Sequence, residues 1–82
     1  MPRLPRDISG MELVQRLGRL DYKVVRRSGS HIRLECTAGL EMHHITIPAH
    51  ASLKVGTVHG ILSEVAVFKG STLEELTRIL FG

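Results

Sequence analysis

Residues 31–36 alternate strictly between polar and apolar side chains, in the order His-Ile-Arg-Leu-Glu-Cys. Successive side chains of a β-strand point to opposite faces of the sheet, so this pattern is typical of a strand with one buried face. The apolar positions are predicted to face the core: Ile32, Leu34 and Cys36. The polar positions share the opposite, open face: His31, Arg33 and Glu35.

A second strand is predicted just before this one. Residues 22–28 are rich in β-branched and aromatic side chains, which favour extended backbone. Gly29-Ser30 then supplies a short turn into the alternating segment. The two segments together predict an antiparallel hairpin.

A third strand is predicted further along the chain. Residues 37–42 are interpreted as a loop, and His43–Ile47 as a strand that ends at Pro48, because proline cannot donate to a sheet ladder. If the isoleucines of this strand point inward, His44 and Thr46 join the open face.

The first helix is predicted to begin at Ser9, which forms a capping box with Glu12. Its apolar residues recur at helical spacing: Leu13, Val14, Leu17 and Leu20.

Two more helices are predicted after Pro48. The earlier one presents a single apolar stripe: Val58, Ile61, Leu62 and Val65. Either Ser71 or Thr72 caps the last helix, because each precedes a glutamate by three residues. The apolar residues of the last helix are Leu73, Leu76 and Leu80.

The predicted order is helix, three strands, helix, helix. This order predicts an α+β fold of two layers, with a three-stranded antiparallel sheet and both main helices on one face. The opposite face of the sheet stays available to a partner. At 82 residues, the chain is expected to form one domain over residues 1–82, with an open and shallow site.

Charge is distributed unevenly along the chain. Residues 1–34 carry eight basic against three acidic side chains, a net of +5, whereas residues 35–82 carry three against five, a net of −2. The asymmetry suggests a surface that faces a polyanion and is built mainly from the first half of the chain. Ordinary solvated charge is the alternative interpretation.

Several classes of chemistry are disfavoured by the composition. Cys36 is the single cysteine, so neither an internal disulfide nor a thiolate zinc site is available, and we interpret it as a core residue. His43 and His44 are adjacent and face opposite sides of a strand, so we expect no metal site and no cofactor. Apolar stretches are short and no secretion signal is evident, which predicts a soluble, cytoplasmic protein that does not bind membranes.

The strongest candidate for chemistry is His31, which follows the turn among Arg26, Arg27 and Arg33. Histidine exchanges protons near neutral pH and guanidinium groups attract phosphate, so the cluster suits phosphodiester chemistry. Arg33 lies two residues from His31 and shares its face, whereas Arg26 and Arg27 point oppositely and only one of them can join. An ordinary hairpin turn is the alternative.

Several short motifs resemble the HicA-type toxin family, small ribonucleases of toxin–antitoxin pairs, over roughly residues 9–80. These motifs are Leu17-Gly18, Tyr22, Val25-Arg26-Arg27, Gly29-Ser30-His31, Ile47-Pro48-Ala49-His50, Gly56-Thr57-Val58 and Ile61-Leu62. Their order and spacing carry the resemblance.

The resemblance implies a fold similar to the double-stranded-RNA-binding domain and metal-independent cleavage of mRNA, with His31 as the catalytic residue. It also implies a HicB-type antitoxin that covers the active face. Members of the family usually carry a more basic segment before the second helix, where this chain has only Lys54; Arg3 and Arg6 are candidates to compensate. The candidate RNA-binding residues are Arg26, Arg27, Ser30, Arg33, His50 and Lys54.

RNA supplies its own nucleophile, the ribose 2′-hydroxyl, so one histidine suffices for a mechanism. We hypothesise that His31 removes the 2′-hydroxyl proton or protonates the leaving 5′-oxygen, while Arg27 and Arg33 hold the phosphate. Two alternatives stay open: a non-catalytic RNA-binding module of the same fold, and an interaction protein whose open sheet face docks another chain.

Overall fold

The computed structural model describes residues 3–82, which form three α-helices and one three-stranded antiparallel sheet. The elements in chain order are α1 (Gly10–Leu17), β1 (Lys23–Ser28), β2 (His31–Ala38), β3 (Glu41–Pro48), α2 (Val55–Lys69) and α3 (Leu73–Phe81). A short 3-10 turn, Gly18–Leu20, extends α1. The predicted α+β class and element order are confirmed. The predicted domain, residues 1–82, includes Met1 and Pro2, which lie outside the described residues.

The helix starts follow the capping chemistry of the sequence. The Ser9 side chain accepts a hydrogen bond from the Glu12 amide at 3.0 Å, as the predicted cap requires. At α3 the choice between two caps is settled in favour of Thr72, whose hydroxyl accepts from the Glu75 amide at 3.1 Å. Ser71 instead donates to the Glu75 carboxylate.

The predicted loop over residues 37–42 is wrong, because β2 and β3 continue until two residues separate them. Ala38 pairs with Glu41 and Thr37 with Met42. Gly39 has a φ of +62°, a conformation that glycine adopts without steric cost, and this allows the tight turn. The longer hairpin adds length to both strands at the end of the sheet distant from His31.

The hydrophobic core lies between one face of the sheet and the helices. The predicted inward residues of β2 and β3 are all buried: Ile32, Leu34, Cys36, Ile45 and Ile47. They pack in one cluster with buried residues from all three helices: Leu13, Leu17, Val58, Leu62, Val65, Leu76 and Leu80. The helices therefore cover one side of the sheet, as predicted. No helix within residues 3–82 is long and apolar enough to cross a membrane.

Candidate functional site

His31 is the first residue of β2 and its side chain is exposed on the open face of the sheet. Its Cα pairs with Ser28 on β1 and with Pro48 on β3. Residues paired across antiparallel strands project to the same face, so Ser28 and Pro48 share the face of His31. Because His31 is the first residue of β2, this row lies at the end of the sheet nearest the Gly29-Ser30 turn. The imidazole is open to a substrate as large as a nucleic acid.

The strand register decides which arginine of β1 shares this face. The pairing shifts by one residue between Val24 and Arg26, so that Arg26 lies opposite Arg33 and Arg27 lies opposite Ile32. Arg26 therefore joins Arg33 on the face of His31, and Arg27 projects to the other side. The two arginines of the phosphate hypothesis, Arg27 and Arg33, therefore lie on opposite faces of the sheet, and Arg33 shares its face with Arg26 instead.

A bulge at Val25 is the physical reason for this correction. A regular ladder continued from the pair Val24 and Leu34 would have placed Arg27 opposite His31. The extra residue on the edge strand reverses the facing of every later side chain. Both Arg26 and Arg27 are exposed, so burial does not tell them apart, and the bulge alone decides which of them shares the face of His31.

The Gly-Ser-His turn and the Pro-x-His segment lie side by side. Gly29 has a φ of +59°, which closes the turn, and the Ala49 amide donates to the Ser30 carbonyl at 2.7 Å. The His50 carbonyl in turn accepts from the Gly10 amide at 2.9 Å, at the start of α1. The backbone of His50 is thus used to hold the loop, while its side chain is exposed.

Lys54 lies at the start of α2, away from the open sheet face, and is exposed. It lines a shallow hollow together with Arg6 and Asp7 from the segment before α1. Ser52 donates to the Asp7 carboxylate at 3.1 Å across this hollow. Of the two amino-terminal arginines that could compensate for the sparse charge, Arg6 is therefore brought beside Lys54.

His44 is a further functional candidate. The alternation of β3 predicts that it lies on the open face but predicts no role for it. Two guanidinium nitrogens of Arg33 lie 3.3 Å (Nε) and 3.0 Å (Nη2) from His44 Nδ1. The Glu35 carboxylate lies 3.4 Å from the same nitrogen. Alternation along β2 and β3 placed these residues on one face, but only the register shows that they touch.

His43 lies on the opposite face of β3, as predicted, where it is packed against the helices. Its Nδ1 is 2.6 Å from the Tyr22 hydroxyl, and its Nε2 is 4.0 Å from a Glu64 carboxylate oxygen. Its ring stacks on the Phe68 ring with 4.9 Å between the ring centroids. Burial raises the pKa of the Tyr22 phenol well above its ordinary value, and negative charge at Cys36 and Glu64 raises it further. These contacts give His43 a packing role.

Cys36 is buried, as predicted for a core residue. Its thiol contacts the Leu20 carbonyl at 3.4 Å, and Lys69 Nζ donates to its sulfur at 3.1 Å. Within residues 3–82, His, Cys, Asp and Glu form no group of three that could hold a metal ion.

The open face therefore combines the exposed imidazole of His31 with two guanidinium groups in the neighbouring row, those of Arg26 and Arg33. Such a set can move a proton at neutral pH and bind a phosphate oxygen in the same place. A family model for the HicA toxin of bacterial toxin–antitoxin systems matches residues 10–67. No curated protein and no solved structure matches the chain significantly.

Proposed function

The chain belongs to the HicA toxin family of bacterial toxin–antitoxin systems, and we propose that it is an endoribonuclease that cleaves mRNA with His31 as its catalytic residue. The family match covers α1, the whole sheet and most of α2, so it includes every residue proposed for the open face. Membership in the family implies a HicB-type antitoxin as the protein partner.

The observation that carries this proposal is the exposure of His31 beside Arg33 and Arg26 on the uncovered face. A histidine that served only to pack the fold would be partly buried and hydrogen-bonded, as His43 is. Exposure together with adjacent cations on the strand supports contact with a phosphodiester.

The mechanism needs a single proton-transfer group because RNA carries its nucleophile. The 2′-oxygen attacks the adjacent phosphorus, the bond from phosphorus to the 5′-oxygen breaks, and a 2′,3′-cyclic phosphate and a 5′-hydroxyl result. His31 either takes the proton from the 2′-hydroxyl, while water protonates the leaving 5′-oxygen, or protonates the 5′-oxygen, while water takes the 2′ proton. A positioned acid or base contributes roughly 10²- to 10⁴-fold to such a step.

The two arginines bind the charge that develops on phosphorus. Arg33 lies one row from His31 on the same strand, and Arg26 lies opposite Arg33 on β1. Guanidinium groups keep their charge at all physiological pH values and match phosphate oxygens in pairs, so they stabilise the transition state electrostatically. Ser30, His50 and Lys54 are proposed to extend the RNA contact beyond the reacting phosphate, as is Arg27 from its own face.

The proposed reaction does not use a metal ion. The step requires only the ribose 2′-hydroxyl, one proton-transfer group and the positive charge of the arginines. The antitoxin is proposed to inhibit by covering the same open face, where it would exclude RNA from His31.

The test is cleavage of a short RNA in the presence of EDTA. We expect products that end in a 2′,3′-cyclic phosphate and a 5′-hydroxyl, and we expect an oligonucleotide with 2′-deoxyribose throughout to resist cleavage. The alternative, a non-catalytic RNA-binding module, predicts binding of the RNA with no products. Cleavage that EDTA abolishes would contradict the metal-independent mechanism.

A further inference from the structure

We infer that His44 is a positioning residue that sets where the Arg33 guanidinium points: it holds Arg33 on the sheet when neutral and releases it toward RNA when protonated. The inference rests on the proposed function, because it concerns how the open face binds the phosphates of RNA. It concerns the contacts among Arg33, His44 and Glu35.

The nitrogen His44 Nδ1 has two partners that require opposite protonation states. Arg33 has only N–H donors, so its contacts of 3.0 and 3.3 Å require that Nδ1 carries no proton and accepts. The Glu35 carboxylate, 3.4 Å away, only accepts, so its contact requires a proton on Nδ1. One nitrogen cannot serve both partners at once.

Protonation of His44 therefore exchanges one partner for the other. The neutral ring holds the Arg33 guanidinium against β3. The imidazolium turns its Nδ1–H to Glu35, repels Arg33 and removes the acceptor that the neutral ring offered to that guanidinium. Arg33 is then available to an anion bound on the open face, which in the proposed function is a phosphate of the RNA.

Charged side chains from β1, β2 and α2 lie near His44. The acidic groups near His44 are Glu35 on β2 and Glu64 on α2, which lines a shallow hollow with Arg33 and His44. The basic groups are Arg33 on β2 and two residues of β1, since Lys23 lies opposite Glu35 and Arg26 opposite Arg33. The His44 side chain is 38% exposed and that of Glu35 29%, so solvent screens these effects only in part.

The position of Arg33 makes the exchange relevant to substrate binding. The rows of the open face run from His31 through Arg33 to Glu35, which pairs with His44. Alternate residues of a strand are about 7 Å apart, so Arg33 lies between the catalytic imidazole and His44. A freed Arg33 reaches a phosphate next to or at the one that His31 attacks.

The experiment measures RNA affinity against pH in a His31→Ala background, in which cleavage is expected to be about 10²- to 10⁴-fold slower. A labelled single-stranded RNA is titrated at pH 5.5 and pH 8.0 at constant ionic strength, by fluorescence anisotropy. His44→Gln keeps a neutral side chain at both pH values, and His44→Lys keeps a charged one. His59→Gln is the matched control, because His59 is an exposed histidine on α2.

We expect the parent to bind about fivefold more tightly at pH 5.5 than at pH 8.0, the size expected for one or two exposed ionic contacts. His44→Gln should remove most of this difference, His44→Lys should bind tightly at both pH values, and His59→Gln should behave as the parent. Retention of the full pH dependence in His44→Gln overturns the inference alone. Absence of RNA binding by the parent at both pH values overturns the proposed function and the inference with it.

Discussion

The Ala49 amide donates a 2.7 Å hydrogen bond to the Ser30 carbonyl, which joins the turn before His31 to the loop after β3. The next residue of that loop, His50, accepts from the Gly10 amide at the start of α1. The position of the Gly-Ser-His turn is thereby tied to the first helix through two backbone hydrogen bonds. This coupling brings the Gly-Ser-His and Pro-x-His motifs side by side.

The first prediction tests this coupling through Gly10. A Cβ on Gly10 would overlap the Pro48 carbonyl oxygen, so Gly10→Ala must displace the loop from α1. We expect a loss of roughly 1–3 kcal/mol in the free energy of unfolding, as for other overpacked sites, together with weaker RNA cleavage.

Gly60→Ala is the control for Gly10→Ala. Gly60 lies within α2 and a Cβ there would meet nothing within 4 Å, so alanine should stabilise the helix by roughly 0.5–1 kcal/mol. Urea denaturation followed by circular dichroism measures both variants. Equal stability of the Gly10→Ala variant and the wild type would contradict the close approach of α1 and Pro48.

The second prediction distinguishes two adjacent arginines. Because the bulge places Arg26 on the face of His31 and Arg27 on the other side, Arg26→Ala should weaken RNA binding more than Arg27→Ala. If Arg26 contacts one phosphate, its removal should reduce the slope of log K against log salt by about 0.7 for a single strand. A larger loss in Arg27→Ala would contradict the register or the proposed face.

This pair of variants tests the facing of the β1 side chains, which the sequence does not determine. Alternation from His31 to Cys36 predicted correctly which side chains of β2 are buried, because a one-residue error there would expose the core. No such penalty acts on β1, an edge strand with every residue exposed, so Val24 and Val25 gave no sign of the bulge at Val25.

Sequence patterns also did not reveal how the strands pair. The loop predicted over residues 37–42 is instead a two-residue turn in which Gly39 adopts a positive φ, and the composition of this segment does not show that. The contact of Arg33 with His44 depends on the register of β2 against β3. Periodicity predicts the face of a residue, and register predicts its neighbours.

The third prediction concerns Tyr22, the single tyrosine of the chain. Tyr22→Phe removes the hydroxyl that lies 2.6 Å from His43 Nδ1 and should cost about 1 kcal/mol of stability. The His43 ring would keep its stacking on Phe68, so the fold and the open face should persist. Thermal unfolding at pH 7 measures the loss.

The pKa of Tyr22 also predicts how stability changes in alkali. Burial raises that pKa in the folded state, so the unfolded chain loses the phenolic proton first. The stabilisation is therefore complete below the ordinary tyrosine pKa of about 10 and is lost as the pH rises above it. Absorbance at 295 nm should report tyrosinate only as the protein unfolds, and tyrosinate in a chain with intact circular dichroism near pH 10 would contradict this assignment.

The most direct test of His31 as the catalytic residue is the single-turnover cleavage rate of the His31→Ala variant in EDTA, measured with saturating protein beside the wild type and His59→Ala. We expect His31→Ala to cut RNA about 10²- to 10⁴-fold more slowly, with unchanged RNA affinity and thermal stability, and His59→Ala to cut at the wild-type rate. A His31→Ala variant that binds and cuts RNA as fast as the wild type would show that His31 is not the catalytic residue.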